Sequence, residues 1–145
     1  MNPDLVQQWY EQYKTGLFRF ALSILKDSHL AEDVLQETFV KLLSGKYLVQ
    51  EGKQQAWLYK VARNLSYDLL RKRDWETEQV AVQCRESYDY IDLIAGLDIT
   101  EREIVTLKII GGLTHKEIAK VMGITVHAAK KRYERIIRKL REEEL

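Results

Sequence analysis

The feature that most constrains this chain is the near absence of helix breakers: one proline in 145 residues, at position 3, and seven glycines. Proline removes a backbone donor and glycine costs helix entropy, so excluding both leaves long segments free to coil. Apolar residues then recur at steps of three and four, as Val6, Trp9, Tyr13, Leu17, Phe20 and Ile24. That spacing draws one stripe along a helix, whereas a strand would need alternation. The expected fold is all-α. Hydrophobic residues at 46% permit a packed core, and together with 31% charge they exclude a disordered or collagen-like chain. No apolar run nears the roughly 18–20 residues of a membrane span, and no charged-then-apolar leader opens the chain, so a cytoplasmic protein without membrane insertion is expected. Cys84 is the single cysteine, which excludes an internal disulfide and a multi-thiolate zinc site. His29, His115 and His127 are too scattered for a metal cluster. With no glycine-rich phosphate loop and no nucleophile motif, neither enzyme, metal nor cofactor is expected.

The pattern predicts a first helix over 4–26. A second follows Ser28 as N-cap, runs through Val34, Leu35, Phe39 and Leu42, and stops at Gly45. Residues 44–55 have no sustained period and read as a loop. A third helix over 57–73 presents Trp57, Val61, Leu65 and Leu69 as its buried edge, with Lys60, Asn64, Tyr67 and Arg71 on a neighbouring stripe. Periodicity fades over 74–88. Further on, Thr100 with Glu103 and Thr114 with Glu117 each have the S/T-x-x-E spacing of a capping box, and Thr125 is placed to cap a long final helix.

The net charge of +1 conceals strong segregation. Five bases oppose one acid over 57–73; nine acids oppose two bases over 74–104; nine bases oppose two acids over 114–141. Two basic blocks separated by an acidic segment suit two polyanion contacts, although solvated helix faces explain many such runs. The segment from Thr114 to Arg135 has a helix-turn-helix layout. Ala119 is small at the helix crossing, Gly123 suits a left-handed turn, and Ile118, Ile124 and Ala129 seal the corner. On the last helix Val126, Ala129, Tyr133, Ile136, Ile137 and Leu140 share one side, while His127, Lys131, Arg135 and Arg138 lie opposite. A cationic helix start with a small residue, Ala128, between the bases is what reading a major groove requires.

At this point the motifs resemble those of bacterial sigma factors of the extracytoplasmic-function (ECF) group. The run L-T-H-K-E-I-A-K-V-M-G-I-T-V-H-A-A-K-K-R-Y-E-R-I-I-R-K-L is similar to their fourth conserved region. A-E-D-V-L-Q-E-T-F-V-K-L at 31–42 and A-W-L-Y-K-V-A-R-N-L-S-Y-D-L-L-R-K-R at 56–73 are similar to their second. The resemblance implies that Asp33, Gln36 and Glu37 dock on the clamp helices of core RNA polymerase. It implies that the third helix holds the opened minus-ten element of promoter DNA; there Tyr59, Lys60, Asn64 and Arg71 are the contact candidates, as amide, cation and aromatic groups at helical spacing, while Trp57 shares a stripe with Val61 and Leu65 and is left to the core. It implies that the loop before that helix captures an unstacked base, with Lys46, Tyr47, Lys53 and Gln54 available. Thr114, Lys116, His127, Lys130, Lys131, Arg132 and Arg135 would meet the duplex minus-thirty-five element.

The expected organisation is a region-two-like domain over 1–73, a flexible acidic linker over 74–91, and a region-four-like helix-turn-helix domain over 92–145. The expected function is promoter-specific transcription initiation with core RNA polymerase, with an anti-sigma factor as a further class of partner. The alternatives are a stand-alone helix-turn-helix regulator, which leaves 31–73 unassigned, and an interaction module whose basic faces only solvate it.

Overall fold

The computed structural model describes residues 2–47, 49–76, 94 and 96–143, and among these the regular structure is entirely helical. Helix α1 spans Pro3–Leu25, α2 Ser28–Leu43 and α3 Gln54–Glu76. In the second half α4 spans Ile99–Val105 and continues into a π-helical turn, Thr106–Ile110, followed by α5, His115–Met122, and α6, Val126–Glu143. The predicted segment 74–88 is helical to Glu76, and the rest of the expected linker lies outside the described residues.

Local chemistry explains where each helix starts. Asn2 accepts from the Asp4 amide ahead of α1, with Pro3 at the position where its missing N–H costs nothing. The cap of α2 is Asp27, one residue before the expected Ser28, because a carboxylate takes both the His29 and Leu30 amides. The cap expected at Thr100 is displaced to Asp98. Asp98 accepts from the Glu101 amide at 2.8 Å and Glu101 returns to the Asp98 amide at 3.0 Å, which frees Glu103 for another use. The box at Thr114 and Glu117 forms as expected, at 3.2 and 3.0 Å.

The first three helices pack together, α1 against both others. Leu17, Phe20, Leu22, Leu25, Ala31, Leu42, Leu58 and Ala62 are fully buried among them. On α3 the buried row is Leu58, Tyr59, Ala62 and Ser66, whereas the expected Trp57, Val61, Leu65 and Leu69 are only half-buried. The reason is that α3 is covered twice, by α1 and α2 and again by α5, so burial peaks on the row between two neighbours. Helix α4 and the π turn lie against α1, with Ile104, Val105 and Leu107 buried. The two halves of the chain therefore share a packed interface.

Two glycines make the slot for the Tyr59 ring. A Cβ on Gly16 would strike the Tyr59 hydroxyl, and one on Gly111 would stand 2.7 Å from a Leu113 methyl and 3.2 Å from the Tyr59 ring. Phe20 closes the slot edge-on, with ring centroids 5.4 Å apart. Gly16→Ala should accordingly invert the usual rule. Mid-helix alanine gains about 1 kcal/mol over glycine, but overpacking costs about 1–3, so thermal unfolding should show a net loss. Adding Tyr59→Phe should restore most of it.

Candidate nucleic-acid interface

The helix-turn-helix is assembled by short-range bonds. Gly123 adopts φ 69°, ψ 35°, a left-handed conformation open to glycine at no steric cost, and the Ile124 amide reaches the Ala119 carbonyl at 3.0 Å. Thr125 then accepts from the Ala128 amide at 3.0 Å to start α6. Ile118, Ala119, Ala129 and Ile136 seal the corner, with Ile124 half-buried. Val126, expected on the buried side, is instead 47% exposed, whereas Ala129 three residues on is fully buried in the corner. Thr114, Lys116, His127, Lys130, Lys131, Arg132 and Arg135 are all exposed and lie on this unit. Arg132 and Arg135 flank a shallow hollow whose other wall is Asp98, Thr100 and Glu101 of the α4 start.

On α3, Lys60, Asn64 and Arg71 are exposed along one side. Arg71 pairs with Asp68 one turn earlier, a solvent-exposed ion pair that is cheap to exchange for another partner. Tyr59 does not share this surface: it is 1% exposed in its glycine slot, with burial raising its hydroxyl pKa. Sequence spacing put it beside Lys60 but could not reveal the second layer over α3. In the loop, Lys46 and Lys53 are exposed, and Tyr47 packs at a tilt of 55° against half-buried Trp57, with centroids 5.6 Å apart. Gln54 is occupied, donating to the Tyr13 hydroxyl at 3.2 Å and accepting from the Gly52 amide at 2.6 Å.

On α2, Asp33, Gln36 and Glu37 are exposed. The same helix face continues into Val40 and Leu43, which are 55% and 57% exposed. These two apolar side chains were missed by sequence reasoning; their signal is that they stand off the Val34–Leu35–Phe39–Leu42 stripe.

A second cluster escaped the sequence altogether. Glu103, with no exposed surface, accepts from Arg63 Nε at 2.6 Å and from the Tyr67 hydroxyl at 2.7 Å. The Arg63 guanidinium also lies over the Tyr67 ring, 4.8 Å from its centroid. Burial pushes the Glu103 carboxyl above its ordinary range, against the pull of Tyr67 and Arg63. Among the described residues, no group of three or more His, Cys, Asp or Glu side chains could hold a metal ion, and no helix is long and apolar enough to cross a membrane.

Residues 9–76 match the family model of Sigma-70 region 2, and residues 88–140 that of Sigma-70 region 4. The chain is 33% identical over 135 residues to the ECF RNA polymerase sigma factor SigM of Bacillus subtilis, covering 83% of each chain. This chain belongs to the ECF group of RNA polymerase sigma factors. SigX of the same organism is 28% identical, over 96% of this chain and 83% of its own. Among solved structures, the sigma factor RpoE in complex with the anti-sigma factor NepR from Bartonella quintana superposes with a TM-score of 0.77, at 25% identity over 94% of each chain. CnrH in complex with the cytosolic domain of CnrY gives 0.70, at 26% identity over 97% of this chain and 88% of that one. The protein is thus a sigma factor directing transcription initiation, not an enzyme, and its partners are core RNA polymerase and promoter DNA. The region 2 match accounts for the residues that a stand-alone helix-turn-helix regulator leaves unassigned.

The helix-turn-helix of this sigma factor carries a titratable weak point. The His115 ring packs on Tyr133 at 5.6 Å, and its Nδ1 is buried without a hydrogen-bond partner. Burial, then the positive charges of Lys108 on the π turn and Lys130 on α6, hold its pKa below 6.5, against Glu134. The unfolded chain therefore takes up this proton first. The His115 contribution is present above the unfolded value and lost as pH falls through the lower folded one. Urea unfolding between pH 7.5 and 5 should show a smaller loss of stability for His115→Gln than for the unaltered chain.

Proposed function

We propose that the two halves divide the promoter between them: residues 1–73 dock on core polymerase and hold the opened minus-ten element, and residues 92–145 read the minus-thirty-five duplex. The observation that carries the division is the segregation of exposed side chains. An acidic and apolar row on α2 stands apart from basic rows on α3 and α6. The docking face is Asp33, Gln36 and Glu37, extended by Val40 and Leu43. Carboxylates supply attraction to a cationic helix, and the two exposed aliphatics supply the area that a rim of charges lacks. On α3 the strand-holding residues are Lys60, Asn64 and Arg71. Tyr59, enclosed by Gly16 and Phe20 of α1 and by Gly111, is not among them. Tyr47 and Lys46, beside half-buried Trp57, form the base-capturing loop, an assignment supported by the exposed tyrosine ring and its aromatic neighbour.

On the helix-turn-helix, Thr114 and Lys116 approach phosphate at the start of α5, and His127, Lys131 and Arg135 enter the groove. Lys130 and Arg132 lie to either side. The cell compartment is the cytoplasm, where the polymerase and its template are. An anti-sigma factor, the class of protein bound to RpoE in the similar structure, is a further partner.

Reversing Asp33 and Glu37 to Lys should abolish binding to core polymerase while helicity measured by circular dichroism stays intact; unchanged affinity would refute the docking face. On α6, Arg135→Ala should relax preference at one or two base pairs of the distal element, costing about 1–3 kcal/mol of discrimination. Lys130→Ala should weaken all promoters alike and lower the salt slope by roughly one unit. Holoenzyme binding to single-base variants at several salt concentrations separates these, and the reverse pattern would overturn the assignment of faces.

A further inference from the structure

Helix α6 is strongly basic, yet one acid stands on its exposed side. Between Val126 and Arg141, Glu134 is the only acid among seven lysines and arginines. Lys130, Lys131 and Arg138 lie one turn away on the same face, and Glu134 precedes Arg138 in the orientation that favours an i, i+4 pair. Glu134 nevertheless makes no hydrogen bond or ion pair among the described residues, whereas Glu11, Asp68 and Glu101 each hold a cation. Its charge acts on His115 at the start of α5. It therefore lies toward the edge of the helix-turn-helix that carries Thr114 and Lys116.

At about 100° per residue, Glu134 stands about 20° round the helix axis from His127 and about 60° from Lys131. It shares the side of α6 that the proposed function sends into the groove of the minus-thirty-five duplex, and the inference rests on that reading. A carboxylate on this side meets two kinds of neighbour. Phosphate repels it, which weakens binding to every duplex alike. A base edge holds it only through a donor, because an ionised carboxylate accepts and never donates. In the major groove those donors are the amino groups of cytosine N4 and adenine N6. Adenine presents the N7 acceptor beside its amino group, which repels the second carboxylate oxygen and suits an amide instead. Cytosine presents no acceptor beside N4. The guanine of the same pair offers two acceptors to the same groove, and Lys131 is placed one turn back to meet them.

We propose that Glu134 is a specificity-determining residue, accepting a hydrogen bond from cytosine N4 and so selecting a C·G pair at one position of the minus-thirty-five element. Its lack of a partner on α6 keeps both carboxylate oxygens available for that contact. The acid lowers overall attraction to DNA and returns discrimination, which the surrounding cations supply only toward guanine and phosphate.

The test is selection by the holoenzyme from promoter duplexes randomised over the minus-thirty-five element, with the bound fraction sequenced. The unaltered chain should enrich cytosine at one position by about five- to tenfold. Glu134→Ala should flatten that position. Glu134→Gln should move its preference to adenine, since a glutamine amide pairs with adenine N6 and N7. Glu142→Gln removes the same charge from an exposed site about two turns further along, and should change overall affinity without changing any base preference. Helicity should be retained by all three variants, because both glutamates are exposed. Uniform tightening by both Glu134 variants, with cytosine still enriched, would make Glu134 a charge brake and overturn the proposal. A Glu134→Gln chain that flattens the position without turning to adenine would overturn it too. Arg135→Ala separates this inference from the reading beneath it. If that variant relaxes its own position while the Glu134 variants relax none, the cytosine contact fails and groove entry by α6 stands. If no position responds to either residue, groove entry fails and takes the contact with it.

Discussion

Burying the Glu103 carboxylate sets the terms on which the two halves of this chain meet. A carboxylate with no exposed surface must find donors, and these come from the other half, as Arg63 and Tyr67 of α3. That requirement fixes the register of α4 on α3 more sharply than apolar contact alone, since aliphatic surfaces can slide and a two-donor clamp cannot. Arg102 next to it extends the constraint to α1 through the Ser23 carbonyl. The π turn that follows carries Gly111 to the Tyr59 ring, and the Gly111 carbonyl to Gln55.

Helix α3 consequently serves three surfaces. One row packs on α1 and α2, a second receives α5 and the Glu103 carboxylate of α4, and the third, with Lys60, Asn64 and Arg71, stays in solvent. Its neighbours in the second half are equally divided. Helix α5 faces α3, while α6 contacts α4 and α5 and keeps its basic side free. On α3 the exposed polar row and the cation that meets the buried Glu103 are thus drawn from the same helix, with Arg63 next to Asn64.

Much of this was legible in the sequence wherever the signal is local. The Thr114–Glu117 box, the left-handed Gly123 and the Thr125 cap all formed, because each depends on atoms within four residues. The exposure of Asp33, Gln36, Glu37, Lys60, Asn64 and the α6 bases followed from helical period alone. The failures share a cause. Thr100 and Glu103 have the spacing of a cap, but Asp98 and Glu101 have it too, and the contest was decided when Glu103 became buried against Arg63. The buried row of α3 shifted because a single-sided stripe was assumed for a helix covered from two sides. Val126 was placed inside by periodicity and lies outside, while Ala129 in the same turn is the residue that the corner buries.

Sequence by itself determined the helical content, the order of the helices, most of their caps and the family, since periodicity, caps and motif spacing are written in near neighbours along the chain. Only the tertiary structure decided which charged residues are surface and which are core. On α3 Lys60 stays exposed while Arg63 is drawn half-buried against the second half, and on α4 Glu103 loses all its surface while Glu101, two residues earlier, stays part-exposed. What separates them is the presence of a second layer 40 residues away in sequence, because the cost of desolvating a charge depends on what finally packs over it.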